Sequence, residues 1–356
     1  MKTWTGIVIS HERLRSAVKS LIKLNDSVQV IGVYAHAEEA IEELKNKGNA
    51  VIILGMTDDP EQSIRELKLL QLFGPYAILG VGDDAQATTP MLFNAFRLGM
   101  LDFIDFTAEE IDSPTDYHFR EFNEVISAIG PADVSKISRA NLVPVKSIKR
   151  RGVFDKADSA IAVGVPRGGV ASAIKILTGL PRKKNVALFV SLPIPSDGSA
   201  PFIEEMQKFS EWPMKRIEKA QPIHSGVCYV TCLSDAFQIN GEVKGGLAIS
   251  PIAQEENPID HMMMEVARTF RGNSMGVLLE GMGSDGMAGL KALKNHRAIT
   301  MTIKKGGGVL THSADLALSE KAVDFFVNTN ELPGSLSFLI DQINEIVPIN
   351  NAVHFS

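Results

Sequence analysis

Hydrophobic and polar positions fall into two alternating kinds of segment along nearly the whole chain. Short apolar runs bounded by Gly, Asp or Ser alternate with longer stretches that carry apolar residues at helical spacing. In the first third the runs are residues 6–10, 28–33, 50–54, 77–81 and 102–106. Between and after them the helical patterns are 14–24, 37–44, 64–72, 90–98 and 119–129. The run Ala50-Val51-Ile52-Ile53-Leu54 is apolar throughout, as a strand covered on both faces of a parallel sheet must be. Five strands alternating with five helices predict a doubly wound, flavodoxin-like domain over residues 1–130.

The alternation weakens over residues 131–158, which hold Pro131, Pro144 and the basic residues Lys146, Lys149, Arg150 and Arg151. High charge and little apolar pattern predict a linker there. The alternation then returns over residues 159–350. An apolar run from Ala160 breaks at Gly164-Val165-Pro166-Arg167-Gly168-Gly169 and passes into a helical pattern over 171–177. Further strand patterns lie at 185–193, 275–279 and 298–302, and helical ones at 201–209, 259–270, from Leu290, and 335–346. Residues 226–232 and 237–239 read as a hairpin. The expected fold class is α/β, with two doubly wound parallel-sheet domains.

Composition narrows the function. With 356 residues, 45% of them hydrophobic, the chain can bury two cores. A net charge of -6 gives no overall attraction to nucleic acid or anionic membrane. No apolar run reaches the roughly 18 residues that a membrane-spanning helix needs, and the first residues lack a signal-peptide pattern. The expectation is a cytoplasmic protein without membrane insertion. The two cysteines, Cys228 and Cys232, make no disulfide framework and lack further ligands for zinc. Gly306-Gly307-Gly308 has no phosphate-loop spacing. Met262-Met263-Met264 reads as core filling. No cofactor or metal is expected.

Two Gly-rich turns carry the chemistry. Strand, tight turn and helix around residue 166 have the shape of a nucleophile elbow, G-x-S-x-G. Here the pattern is Gly164-x-Pro166-x-Gly168, with proline where the hydroxyl belongs. The second turn is Leu279-x-Gly281-Met282-Gly283-x-Asp285-Gly286-x-x-Gly289. It resembles the "L-T-G-M-G-x-D-G-A-x-G" signature of the chemotaxis protein-glutamate methylesterases, the CheB family. Ser225-Gly226-Val227-Cys228-Tyr229-Val230 and Pro258-Ile259-Asp260 are similar to two further family segments. The elbow is similar to the family's "I-G-x-S-x-G-G". In the first domain, Ala95 to Ile104 resembles a segment of response-regulator receiver domains, which precede the esterase domain in this family.

The resemblance implies removal of methyl esters from chemoreceptor glutamates by a Ser-His-Asp triad. Matched residue by residue, Asp285 is the triad acid. Pro166 stands at the nucleophile position and Leu192 at the base position (Pro193 if the match slips by one residue). Met282, with Gly283 beside it, stands where a backbone amide would line a pocket or oxyanion site. Receiver phosphorylation needs an acidic pair after the first strand and a phosphoacceptor Asp after the third. Ser10 and His11 stand at the former place and Gly55 at the latter, while Gly82 and Phe106 follow the fourth and fifth strands. Asp58, Asp59, Asp83 and Asp84 read as loop acids. The expectation is therefore a pseudoenzyme with a constitutive domain arrangement. It would bind a chemoreceptor or another chemosensory-pathway protein. The alternative is an active methylesterase with an altered triad, for which Ser191, His312 and Asp285 are the residues to bring together.

Overall fold

The computed structural model describes residues 2–350 except 46, 48, 57–58, 83–88, 113–114, 138, 146–155, 196–198, 234, 244–245 and 254. Asp58, Asp83, Asp84, Lys146, Lys149, Arg150 and Arg151 lie outside the described residues. The chain divides into two compact units, Met1–Asn141 and Leu142–Ser356.

In the N-terminal unit the elements run β1 (Thr3–Val8), α1 (Glu12–Lys23), β2 (Val28–Tyr34), α2 (Ala37–Leu44), β3 (Val51–Gly55), α3 (Pro60–Phe73), β4 (Ala77–Gly82), α4 (Thr89–Arg97), β5 (Met100–Asp105), α5 (Ala108–Asp112) and α6 (Asp116–Ile129). The strands form one parallel sheet in the order β2-β1-β3-β4-β5. This is the flavodoxin-like winding. Every residue of β3 is buried, as its unbroken apolar run requires. Local signals set the helix starts. His11 caps α1 by accepting from the Leu14 amide, and Asp59 caps α3 by accepting from Gln62, with Pro60 in its first turn.

The carboxyl edge of this sheet is filled. Ile9, Met56 and Phe106 are each almost wholly buried there. A Cβ on Gly55 would lie 2.9 Å from Ile9 Cγ2, and one on Gly82 would lie 2.3 Å from the Met56 carbonyl oxygen. At the end of β1 the Arg15 guanidinium donates to the carbonyls of Ile9 at 2.6 Å and Ser10 at 3.1 Å.

The C-terminal unit continues with β6 (Ser159–Gly164), α7 (Val170–Gly179), β7 (Val186–Ser191), α8 (Ser199–Gln207), β8 (Met214–Arg216), β9 (Gln221–Pro222), β10 (Cys228–Thr231), β11 (Ala236–Val243), β12 (Gly246–Ile252), α9 (Pro258–Phe270), β13 (Ser274–Leu278), α10 (Met287–Asn295), β14 (Ile299–Ile303), α11 (His312–Ser319), β15 (Phe325–Val327) and α12 (Leu332–Asn350). Seven parallel strands pair in the order β15-β14-β13-β6-β7-β10-β8. The central strands β6, β7 and β13 are buried along their whole length. β11, β12 and β9 form a separate antiparallel sheet.

That arrangement corrects the expected hairpin over 226–239. β10 pairs in parallel with β7 and β8, while β11 pairs with β12. The reason is burial. All of Cys228–Thr231 is covered, which suits a position inside a parallel sheet. Cys228 and Cys232 are free and buried, and burial raises both thiols. Met262 and Met263 fill the core, whereas Met264 is exposed. No helix among the described residues is long and apolar enough to cross a membrane.

Candidate functional site

The carboxyl ends of β6, β7 and β13 meet at the elbow. In open α/β sheets this edge is where ligands bind. Sequence dictates the local path. β6 ends at Gly164, whose carbonyl accepts from Leu279 at 3.0 Å, and Val165 donates to Ser191 at 3.1 Å. The chain then reverses. Gly168 takes φ +82°, and Gly169 donates to the Pro166 carbonyl at 3.0 Å before α7 begins. Pro166 has no N–H to satisfy, so the turn loses nothing by its presence. Its side chain is buried.

The second turn lies directly on the first. Gly281 sits at φ +155°, and a Cβ there would come within 2.6 Å of the Arg167 carbonyl oxygen and 2.7 Å of Pro166 Cβ. The Met282 amide donates to that same Arg167 carbonyl at 2.9 Å. The Met282 N–H therefore meets the elbow backbone in this structure. Gly283 is exposed, and a Cβ there would meet nothing within 4 Å. Leu310 lies over the elbow, and a Cβ on Gly168 would be 2.4 Å from its Cδ1.

Leu192 follows β7 and is 1% exposed. Its amide donates to Thr231 at 3.0 Å. Neither Pro166 nor Leu192 can accept or donate a proton through its side chain. Ser191 is buried, and His312 is the exposed first residue of α11.

Asp285 has a clear set of partners. Its Oδ2 accepts from the Ile259 amide at 3.0 Å and its Oδ1 from the Asp260 amide at 2.8 Å. It therefore caps α9, whose own preceding residue, Asn257, makes no side-chain cap. Asp260 returns the contact. Its Oδ1 accepts from Gly286 at 3.0 Å and Gly289 at 2.6 Å, at the start of α10. Gly286 precedes that helix at φ +103° and brings no capping side chain of its own. Two acids 25 positions apart thus cap each other's helix. Burial, more than any other cause, raises both carboxyls above the ordinary range, and for Asp285 the Asp260 charge adds to it. The amides that each accepts from work the other way.

Glu280, passed over in the sequence pattern, is fully buried between the two turns. Its Oε1 accepts from the Ser172 hydroxyl on α7. A signal for it does exist in the sequence: a charged residue ends the apolar run Met275-Gly276-Val277-Leu278-Leu279, where the family signature carries threonine. Among the described residues no group of three or more His, Cys, Asp or Glu side chains could hold a metal ion.

The CheB methylesterase family matches residues 161–336. A protein-glutamate methylesterase/protein-glutamine glutaminase of Lawsonia intracellularis is 24% identical over 84% of this chain and 86% of its own. Those of Hydrogenovibrio crunogenus and Pyrococcus abyssi are 23% and 21% identical, over 94% and 93% of this chain. They are covered over 98% and 91% of their own lengths. The solved CheB methylesterase catalytic domain of Thermotoga maritima aligns at a TM-score of 0.48 with 19% identity, over 51% of this chain and 98% of its own.

Proposed function

Through residues 161–336 the chain belongs to the CheB methylesterase family, and from that premise we propose that it serves a chemosensory pathway by binding a protein partner, without hydrolysing glutamate esters. The observation that carries this reading is the pair of side chains at the catalytic positions. Pro166 and Leu192 are both buried and both aprotic. Nucleophile and base are missing together, and the remaining acid caps a helix. Loss of the triad in a serine hydrolase lowers the rate by about 10⁶-fold. The partner is a chemoreceptor or another protein of the same pathway.

The test is methanol release from methylated chemoreceptor. The expected result is release at the buffer background. Release above background that disappears in Asp285→Ala, with that variant still folded, would establish the alternative of an altered but working triad.

The N-terminal unit is read as a receiver-like domain that takes no phosphoryl group. Position 55 offers no carboxylate, Ile9, Met56 and Phe106 fill the sheet edge, and the Arg15 guanidinium already engages the β1 carbonyls. Acetyl phosphate with Mg²⁺ is expected to leave the protein mass unchanged. Gly55→Asp is expected not to restore uptake. Its Cβ would crowd Ile9, and the new carboxylate would be buried without a cation. A stability loss of about 2–4 kcal/mol in urea titration is expected for that variant. A phosphoryl mass increment on either chain would overturn this reading.

A further inference from the structure

Glu280 is a buried acid that neither the capping scheme nor the aprotic elbow explains. Its Oε1 is held by Ser172, but its Oε2 is buried with no hydrogen-bond partner. A native protein rarely leaves such an atom orphaned without a use for it. The surroundings are specific. A Cβ on Gly308 would lie 2.8–2.9 Å from Glu280 Cγ, Cβ and Cδ, so the glycine loop is pressed onto the carboxyl. A Cβ on Gly169 would meet the Glu280 carbonyl oxygen at 2.5 Å. Two residues beyond Gly308, the loop delivers Leu310 onto Gly168 of the elbow.

We propose that Glu280 is a proton-operated latch for residues 304–310: protonated, it lies beneath the glycine loop and Leu310 covers the elbow, and ionised, it drives the loop off and uncovers it.

The physical case rests on what each protonation state needs. A neutral carboxyl in that place lacks one partner. A carboxylate there has only the Ser172 hydroxyl and its own backbone amide as donors, and a buried charge so thinly served costs several kcal/mol. Charged and titratable groups around it do little to help. On α7, Lys175 is half-buried, and burial lowers it more than Glu280 raises it. Burial likewise raises Glu280 more than Ser172 and Lys175 lower it. On the loop, Lys304 and Lys305 are exposed. At the start of α11, His312 is exposed and Asp315 bonds to Thr311. Relief must come from water, and the loop is the covering element that can admit it. β13 and α7 are tied into the sheet and core, whereas the loop is held by the Gly307 amide on the Lys304 carbonyl at 2.7 Å and by Leu310 on the elbow, and its three glycines carry no side chains of their own. The latch goes beyond the binding role proposed above and holds whether or not the cleft is catalytic.

Lys304 and Lys305 make the loop a trypsin site, so opening can be read directly on the full-length chain. Cleavage there is measured from about pH 6 to about pH 9 in the native chain and in Glu280→Gln, whose amide imitates the protonated acid. The ratio of the two removes trypsin's own pH dependence. The ratio is expected to rise by up to about tenfold per pH unit until Glu280 is ionised, then level off. A flat ratio over the whole range overturns the latch. If Glu280→Gln fails to fold by circular dichroism, Ser172→Ala replaces it. The Ser172 hydroxyl holds the carboxyl only in the closed state, so its loss is expected to move the opening midpoint to lower pH, and an unmoved midpoint overturns the latch equally. Methanol release plays no part in either readout, so this test and that of the proposed function fail independently.

Discussion

Asp285→Ala is expected to destabilise the C-terminal unit by about 3 kcal/mol, and the cause is structural. The substitution strips two amides at the start of α9, Ile259 and Asp260, of their acceptor. Hydrogen bonds to a charged partner contribute about 1.5–3 kcal/mol each, and amides left unpaired in a half-buried place recover little of it from water. It also frees Asp260, which the Asp285 loop positions over α10. The corresponding fall in melting temperature is about 10 °C for a unit of this size. Asp285→Asn keeps one acceptor oxygen and turns an NH₂ toward the second amide, so about half that loss is expected. The pH dependence gives a separate check. Both carboxyls are raised in the folded state, chiefly by burial. A raised carboxyl contributes fully below its unfolded value, and that contribution is lost as pH rises through the folded value. Asp285→Asn removes one such group, so its deficit against the native chain is expected to shrink as pH rises from the ordinary carboxyl value, about 4, through the raised folded value. Urea titrations at several pH values measure this. A stability unchanged by Asp285→Ala would mean that the retained acid does not hold α9, and its retention would then call for a catalytic explanation.

What is legible in the sequence follows from how local each signal is. The elbow and the 281–289 turn can be read because glycines mark them and the strand before each is wholly apolar or nearly so. The buried state of β3, β6 and β13 follows from the same runs. The partners of Asp285 cannot be read that way. They lie across a gap of 25 or 26 positions and are backbone amides, which every residue carries alike. Asp260 is visible as part of Pro258-Ile259-Asp260, but its grip on Gly286 and Gly289 depends on the two helix starts facing each other. The Met282 amide poses the same difficulty: whether an N–H faces a cleft or a carbonyl is decided by the contact between two loops. The hairpin expected over 226–239 is absent for another reason. Closeness in sequence favours pairing β10 with β11, but a four-residue strand that is buried throughout gains more from a place between β7 and β8.

On the reading proposed above, these contacts also bear on what two substitutions at the elbow could restore. The double variant Pro166→Ser, Leu192→His restores the nucleophile and base side chains, yet its methanol release is expected to stay at the background of the native chain. Three features stand against recovery. A serine at 166 would sit in a buried position pressed against Gly281. The Met282 amide is bonded to Arg167, and lack of one oxyanion donor costs about 10²–10³-fold in rate. Asp285 already accepts from two amides of α9, and a histidine at 192 that it did not hold in the right tautomer would lose about 10⁴-fold by the serine-protease precedent. Together these are comparable to the loss of the triad itself. Folding of the variant is checked by circular dichroism and by its urea midpoint, since Leu192→His also places an imidazole in a 1% exposed apolar site. Turnover well above the native background, in a folded protein and dependent on Asp285, would show that the second turn re-forms an oxyanion site once the side chains return. The loss of function would then reside in two residues. Absence of turnover places it in the backbone contacts that tie Arg167, Gly281 and Met282 together, which two side-chain substitutions leave in place.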